Sequence, residues 1–332
     1  MKPRLQDIAQ DTGYSISTVS RVLRGSEKIS KKAQKKIFES AQRLNYPLNR
    51  LNNGIQPGMV NVAMVATSFH EGEFYASLLY GFNEAAEAMG IQFFMMSVER
   101  HRNRLNSILQ DLSNLFDGII LFAPDLTHEQ YKEIQRKLPK NYPVVSNGLM
   151  ERPVFVTVTF DSYSGGHLAA VKYEKKGYHK VGVIKGPWYK TEARFRYNGF
   201  SDYVQHHAEM ELLWEFEGDY LFDSGYEAFR AFHRLPEKPE AIFSSNDLMA
   251  HGFIEGAKET GYRIPEDVAI IGYDDLPYSR QMKPKLSTIK TDLTALGEAT
   301  LKSLQDQMKN GGTQQRGMLS FIPVELVLRE ST

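Results

Sequence analysis

Over Leu5 to Asn49, LQDIAQDTGYSISTVSRVLRGSEKISKKAQKKIFESAQRLNYPLN, apolar residues recur in three short bursts at helical spacing. Gly13 falls where the first burst must turn into the second, because glycine takes up the left-handed backbone that ends a helix. Ser15 offers a hydroxyl N-cap to a second helix over Ile16 to Arg24, and Ser30 does the same for a third over Lys31 to Leu44. The pattern predicts a helix-turn-helix unit, whose second helix enters a DNA major groove with its first turn against base edges. Here that turn carries Ile16, Ser17 and Thr18, and Arg21 follows on the same face.

From Val60 the period changes. Short apolar runs alternate with amphipathic stretches: VNVAMVAT at Val60, IQFFMMSV at Ile91, GIILFAP at Gly118 and PVVSNG at Pro143, with helical segments from Phe74 and Arg104 between them. A second series follows with VGVIKG at Val181, LLWEFEGD at Leu212, AIFSSND at Ala241 and VAIIGYDD at Val268. Uninterrupted apolar strands separated by helices predict open parallel sheets covered on both faces, and two series predict two doubly wound lobes. The expected fold is therefore an all-α helix-turn-helix headpiece followed by an α/β core of two parallel-sheet lobes. Neither series carries a glycine-rich phosphate loop, so nothing here points to a nucleotide.

Charge changes the picture in one respect. The 332 residues hold 40 Lys and Arg against 40 Asp and Glu, a balance that by itself argues against nucleic acid. Yet Met1 to Met59 carries eleven Lys or Arg and four Asp or Glu, a surplus of seven, and the rest of the chain the matching deficit. A basic module on an acidic body is the footprint of phosphate contact by one segment alone, with affinity that falls steeply as salt rises. The chain contains no cysteine, which removes disulfides and thiolate chemistry. It has neither a signal-type apolar stretch behind its first charges nor a run of about 18 apolar residues, so a cytoplasmic protein without a membrane span is expected.

The run ISTVSRVLRGSEKIS, followed by Asn45-Tyr46-Pro47, closely resembles the DNA-binding headpiece of the LacI/GalR family of bacterial transcription regulators. The resemblance continues to the terminal VELVLREST. It implies a headpiece over 1–47, a hinge over 48–58, and an effector-binding and dimerisation core over 59–332 similar to periplasmic sugar-binding proteins. Within that core it implies a first lobe of about 59–159 with 291–318, and a second of about 160–290 with 319–332. DNA contacts then fall to Ile16, Ser17, Thr18, Ser20, Arg21, Lys31 and Asn49, with Ile55 of the hinge as an apolar wedge for the minor groove. The hinge sequence Asn52-Asn53-Gly54 departs from good helix formers.

In open parallel sheets ligands bind beyond the carboxyl ends of the strands. By resemblance the residues there form the effector site: Arg196 in the R-x-x-G pattern ahead of Gly199, Asp274 in GYDD and Asn246 in SND reach ligand hydroxyls, while Tyr220 and Phe122 supply apolar walls. Asn147 ends PVVSNG, and Phe74 and Trp188 lie near strand ends. Planar Arg and Asn groups with a carboxylate can bracket vicinal hydroxyls, and aromatic faces cover the C–H side of a ring, which suits a sugar or polyol. Asp274 and Asp275 are adjacent, so on extended backbone only one need face the cleft. Asp161 reads as a helix N-cap.

The nine histidines show no metal-binding spacing and no serine stands in a G-x-S-x-G elbow, so a binding protein rather than an enzyme is expected, without cofactor or metal. The implied function is a repressor that works as a homodimer on pseudo-palindromic double-stranded operator DNA under control of a small effector. A solute-binding protein without a transcriptional role, and a regulator answering to a nucleobase corepressor, are the alternatives. No heptad segment follows the final apolar run, which favours a dimer over a tetramer.

Overall fold

The computed structural model describes residues 4–23, 29–44, 46, 59–69, 72–98, 103–309 and 317–332. The chain opens with helices α1 (Leu5–Thr12), α2 (Ile16–Leu23) and α3 (Lys31–Arg43). Gly13 ends α1 at φ 73°, in the left-handed region. The Ser15 hydroxyl accepts from the Thr18 amide at 3.1 Å, and that of Ser30 from the Ala33 amide at 3.3 Å, so both serines cap as their spacing predicts. Ile8, Val19, Val22, Leu23, Ile37 and Ala41 close a small core between the three helices. Asp11 fastens α1 to α3 by accepting from the Ser40 hydroxyl and from the Arg43 guanidinium, which hold its carboxyl below the usual range. The expected hinge, with Asn49, Gly54 and Ile55, lies outside the described residues.

The core follows as β1 (Val60–Ala66), α4 (Glu73–Ala88), β2 (Ile91–Ser97), α5 (Leu105–Ser113), β3 (Gly118–Phe122), α6 (His128–Lys137), β4 (Val144–Ser146) and β5 (Val156–Phe160). The second series is α7 (Ser162–Lys175), β6 (Lys180–Lys185), α8 (Thr191–His206), β7 (Glu211–Glu217), α9 (Phe222–His233), β8 (Ala241–Ser244), α10 (Asp247–Glu259), β9 (Ala269–Asp274) and β10 (Ser287–Lys290). The chain closes with α11 (Leu293–Lys309), β11 (Leu319–Ile322) and β12 (Glu325–Val327). Two six-stranded sheets result, in the orders β11-β5-β4-β3-β1-β2 and β12-β10-β9-β8-β6-β7. Every pairing is parallel except that of β12 with β10. Central strands such as β8 and β9 are buried at every position, which is why they read as unbroken apolar runs.

Between described elements the chain passes from one sheet to the other after β5, after β10 and after β11. The last crossing corrects the lobe boundary expected at 318/319. Leu319–Ile322 pairs in parallel with β5 and belongs to the first sheet, and only Glu325–Val327 joins the second. The stretch FIPVELV is apolar apart from Glu325 and reads as one run, but Pro323 has no N–H for a ladder and breaks it in two.

Close helix packing sets the geometry of the second lobe. A Cβ on Gly199 of α8 would stand 1.9 Å from the Tyr163 carbonyl oxygen of α7, and one on Gly166 2.0 Å from that of Arg196. Only glycine lets these two helices touch backbone to backbone, and the contact fixes the turn of α8 that carries Arg196.

Candidate functional site

The carboxyl ends of both sheets open onto one cavity of about 260 Å³. From the first lobe come Phe74 and Tyr75 at the start of α4, Phe122 at the end of β3 with Pro124 beyond it, and Asn147 and Leu149 after β4. Phe122 centres its ring 5.9 Å from both Phe74 and Tyr75, making an aromatic wall. Facing it are Lys190, Glu192 and Arg196 around α8, Tyr220 after β7, Asn246 and Asp247 after β8, and Asp274 at the end of β9. His251 and Tyr278 close one side and share a 2.6 Å hydrogen bond.

Arg196 is the centre of the polar wall. Its Nη1 donates to the Ser245 carbonyl at 2.5 Å, its Nη2 lies 3.7 Å from Asp274 Oδ1, and its guanidinium sits 3.7 Å over the Tyr273 ring. Burial pushes the Asp274 carboxyl up to about 8 against the pull of Arg196. Burial likewise raises Glu192, opposed by Lys190 and Arg196. Buried polar atoms without a partner gather here among the described residues: Arg196 Nε, Asp274 Oδ1, Glu192 Oε2, Asn147 Oδ1 and the Tyr220 hydroxyl. Groups of that kind cost stability unless something pairs them, so their concentration in one cavity is the chemical mark of a polar ligand site.

The backbone is strained at the same place. Tyr220, Asp274 and Asp275 have φ of 75°, 122° and 59°, a region that residues with a side chain seldom occupy. Such strain collects where the surrounding structure over-determines a functional geometry. Gly186 makes room for it, since a Cβ there would meet the Tyr220 ring at 2.3 Å. Asp275 turns away from the cavity to accept from Arg280 at 2.9 Å and Arg329 at 2.5 Å, leaving Asp274 to face it. The two carboxyl groups part as expected of neighbours, and the Arg280 and Arg329 contacts decide which of them faces the cavity.

Seven of the eight residues expected at the effector site line this cavity: Arg196, Asp274, Asn246, Tyr220, Phe122, Asn147 and Phe74. Trp188 does not, which corrects its assignment. Its ring turns outward, 41% exposed, to pack edge-on against Tyr197 under the Lys185 ammonium. Proximity to a strand end places a backbone, not the direction of a side chain. Asn246 also differs from expectation: its Oδ1 caps α10 through the Met249 amide and its Nδ2 donates to the Tyr220 carbonyl, both at 2.9 Å. Its first task is to hold Tyr220. Asn147 likewise donates to the Val158 carbonyl and the Thr300 hydroxyl. Asp161 caps α7 as expected. Sequence reasoning missed Lys190 and Glu192, although Glu192 stands four residues before Arg196 and so on the same helical face.

In the headpiece Ile16, Ser17, Arg21 and Lys31 are exposed, and Thr18 and Ser20 half-buried. Ile16 is 48% exposed at the first position of α2, while Val19, Val22 and Leu23 of the opposite face are buried.

Residues 4–49 match the bacterial regulatory proteins of the lacI family, and residues 172–332 match the periplasmic binding protein-like domain. The chain is 28% identical to the HTH-type transcriptional repressor PurR of Mannheimia succiniciproducens, over 98% of either chain. It is 28% identical to the ribose operon repressor of Escherichia coli strain K12, over 96% of this chain and 97% of that one. Among solved structures, the Lac repressor dimer bound to operator and an anti-inducer superposes with a TM-score of 0.75 at 24% identity, covering 100% of this chain and 99% of that one. The chain thus joins a helix-turn-helix domain of the lacI family of bacterial regulatory proteins to a periplasmic binding protein-like core.

Proposed function

We propose that this protein is a repressor that binds operator DNA through α2 and releases or grips it according to a sugar or polyol held between its lobes. The observation that carries the reading is the cavity, where Arg196 and Asp274 face an aromatic wall in a chain that begins with a lacI-type headpiece. Carboxylate and guanidinium suit vicinal hydroxyls, and the aromatic wall suits the C–H face of a sugar ring. Its volume lies at the small end for ligand pockets, in keeping with a single ring. The ribose operon repressor among its relatives points to the same class of effector.

Ile16 is the apolar contact for a thymine methyl or base edge, which accounts for a large side chain held in water on a short helix. Arg21 contacts guanine or phosphate beside it, with Ser17, Thr18, Ser20 and Lys31 around them. Two headpieces on a two-fold operator require a homodimer, and DNA binding places the protein in the cytoplasm. Binding and release, rather than catalysis, is the chemistry assigned. Residues 48–58 link the headpiece to the core, and the coupling between sites is reciprocal, about 1–3 kcal/mol in typical cases.

The test is selection of operator sequences by the full chain, followed by titration with and without effector. A specific site whose affinity moves when a sugar binds, and sugar affinity that moves by the same factor when DNA binds, is the expected result. Failure of the full chain to select any sequence overturns the repressor reading. Arg21→Ala separates its two contacts: loss of discrimination at one base pair marks base reading, and a salt slope reduced by about one marks a phosphate.

A further inference from the structure

The two walls of the cavity leave a particular set of polar atoms open. The cations are engaged in part: Arg196 through its Nη atoms by the Ser245 carbonyl and Asp274 and through its face by Tyr273, with Nε left open, and Lys190 with its ammonium 5.1 Å over the Tyr220 ring. Of the four carboxylates that line the space, Glu73 accepts from the Tyr278 amide. Asp247 accepts from the Leu276 amide and the Ser279 and Thr288 hydroxyls. Glu192 Oε2 and Asp274 Oδ1 are closed off from solvent without a hydrogen-bond partner, the latter 3.7 Å from Arg196 Nη2. Four carboxyl groups face Lys190 and Arg196, so the lining holds no surplus of cations to attract an anion, and His251 is the remaining titratable base.

We propose that Glu192 is the charge gate of the cavity: with Asp274 it accepts a hydrogen bond from a hydroxyl or amine of the effector, and it turns away ligands that bear a phosphate or carboxylate. The proposal rests on the cavity being the effector site. Glu192 is the second residue of α8, one turn before Arg196, so the two project from one face and the helix amino end favours the carboxylate charge. A donor on the ligand satisfies the open oxygens. An anion in the same place faces a like charge in a water-poor site, and repulsion of this kind discriminates more sharply than a missing contact. A carboxylate that merely served the helix end would affect all ligands alike.

The experiment is calorimetric titration of the full-length protein with D-ribose, D-glucose and D-galactose, their amino analogues, their terminal phosphates and the matching uronates. At least one neutral or amino compound is expected to bind, with its phosphate and uronate weaker by about ten-fold or more. Glu192→Gln is expected to weaken the parent and strengthen the anionic partner, bringing the two within about three-fold. Glu192→Asp retains the charge and is expected to retain the gap. The amino series separates the donors: an amine tighter than its parent assigns an ammonium to Glu192, and equal affinities assign a hydroxyl. A phosphate or uronate that binds the native protein better than its parent overturns the proposal. So does an equal loss for both ligands in Glu192→Gln, or a panel in which no neutral or amino compound binds. Failure of the site itself has a different sign: a ligand whose affinity survives Arg196→Ala binds elsewhere, whatever Glu192 does.

Discussion

The two walls of the cavity are built from the same kind of sheet and present opposite chemistry. The first lobe offers Phe74, Tyr75, Phe122, Pro124 and Leu149 and little charge, whereas the second offers Lys190, Glu192, Arg196, Asp247 and Asp274. The apolar wall is relaxed. The polar wall carries the positive φ of Tyr220 and Asp274 and four of the five cavity-lining buried atoms that lack a hydrogen-bond partner among the described residues. The difference separates two tasks: one face supplies area and the other orientation, and only the second has to hold charges out of water in a fixed geometry.

Breaking the polar wall should have the largest effect. Arg196→Ala leaves the buried Ser245 carbonyl and Asp274 without their donor and is expected to cost roughly 1–3 kcal/mol in stability, read by chemical unfolding, and to abolish effector binding. Arg196→Lys keeps a charge but not the planar fork, so binding should still be lost while much of the stability returns. If Arg196→Ala binds sugar as the native protein does, the asymmetry between the walls has no functional meaning.

The next effect is in pH. Burial raises Asp274 to about 8, so its neutral form favours the folded state. That contribution to stability is complete below about pH 4 and is lost as pH rises through about 8. A ligand donor favours the ionised form instead. Effector affinity should therefore climb as pH rises toward 8 and level off above it, with protons released on binding at pH 7. Calorimetry in buffers of different ionisation enthalpy measures the release, and uptake of protons would contradict the assignment.

Breaking the apolar wall should do less. Phe122→Ala removes one aromatic face and its contacts with Phe74 and Tyr75, and each such contact is worth about 0.5–1.5 kcal/mol. A loss in affinity of roughly ten-fold in isothermal titration is expected, with specificity among sugars little changed. Trp188→Ala should have the smallest effect, leaving affinity within about two-fold, because its ring packs on Tyr197 outside the cavity. A larger loss would return Trp188 to the site and blur the distinction between wall and rim.

Much of this was legible in the order of residues. The helix-turn-helix, its Ser15 and Ser30 caps and its Gly13 turn depend on neighbours a few positions apart, and so do the buried strands that read as apolar runs. Strand ends then narrowed the search for a site, and Asp274, Tyr220, Phe122 and Phe74 lay near where that rule places them, while Arg196, inside α8, was reached through the family resemblance. Glu192 was legible in principle through its one-turn spacing from Arg196.

The sequence by itself determined the local elements, because capping, turns and burial periodicity act over a few residues. Only the tertiary structure decided which Asp of the 274/275 pair meets the ligand, for that turns on Arg280 and Arg329, the latter more than fifty positions away. It also decided that Asn246 holds Tyr220, that Trp188 faces outward, and that Leu319–Ile322 returns to the first sheet. Each of these depends on partners that folding brings together from distant parts of the chain, where hydropathy and spacing carry no record of direction.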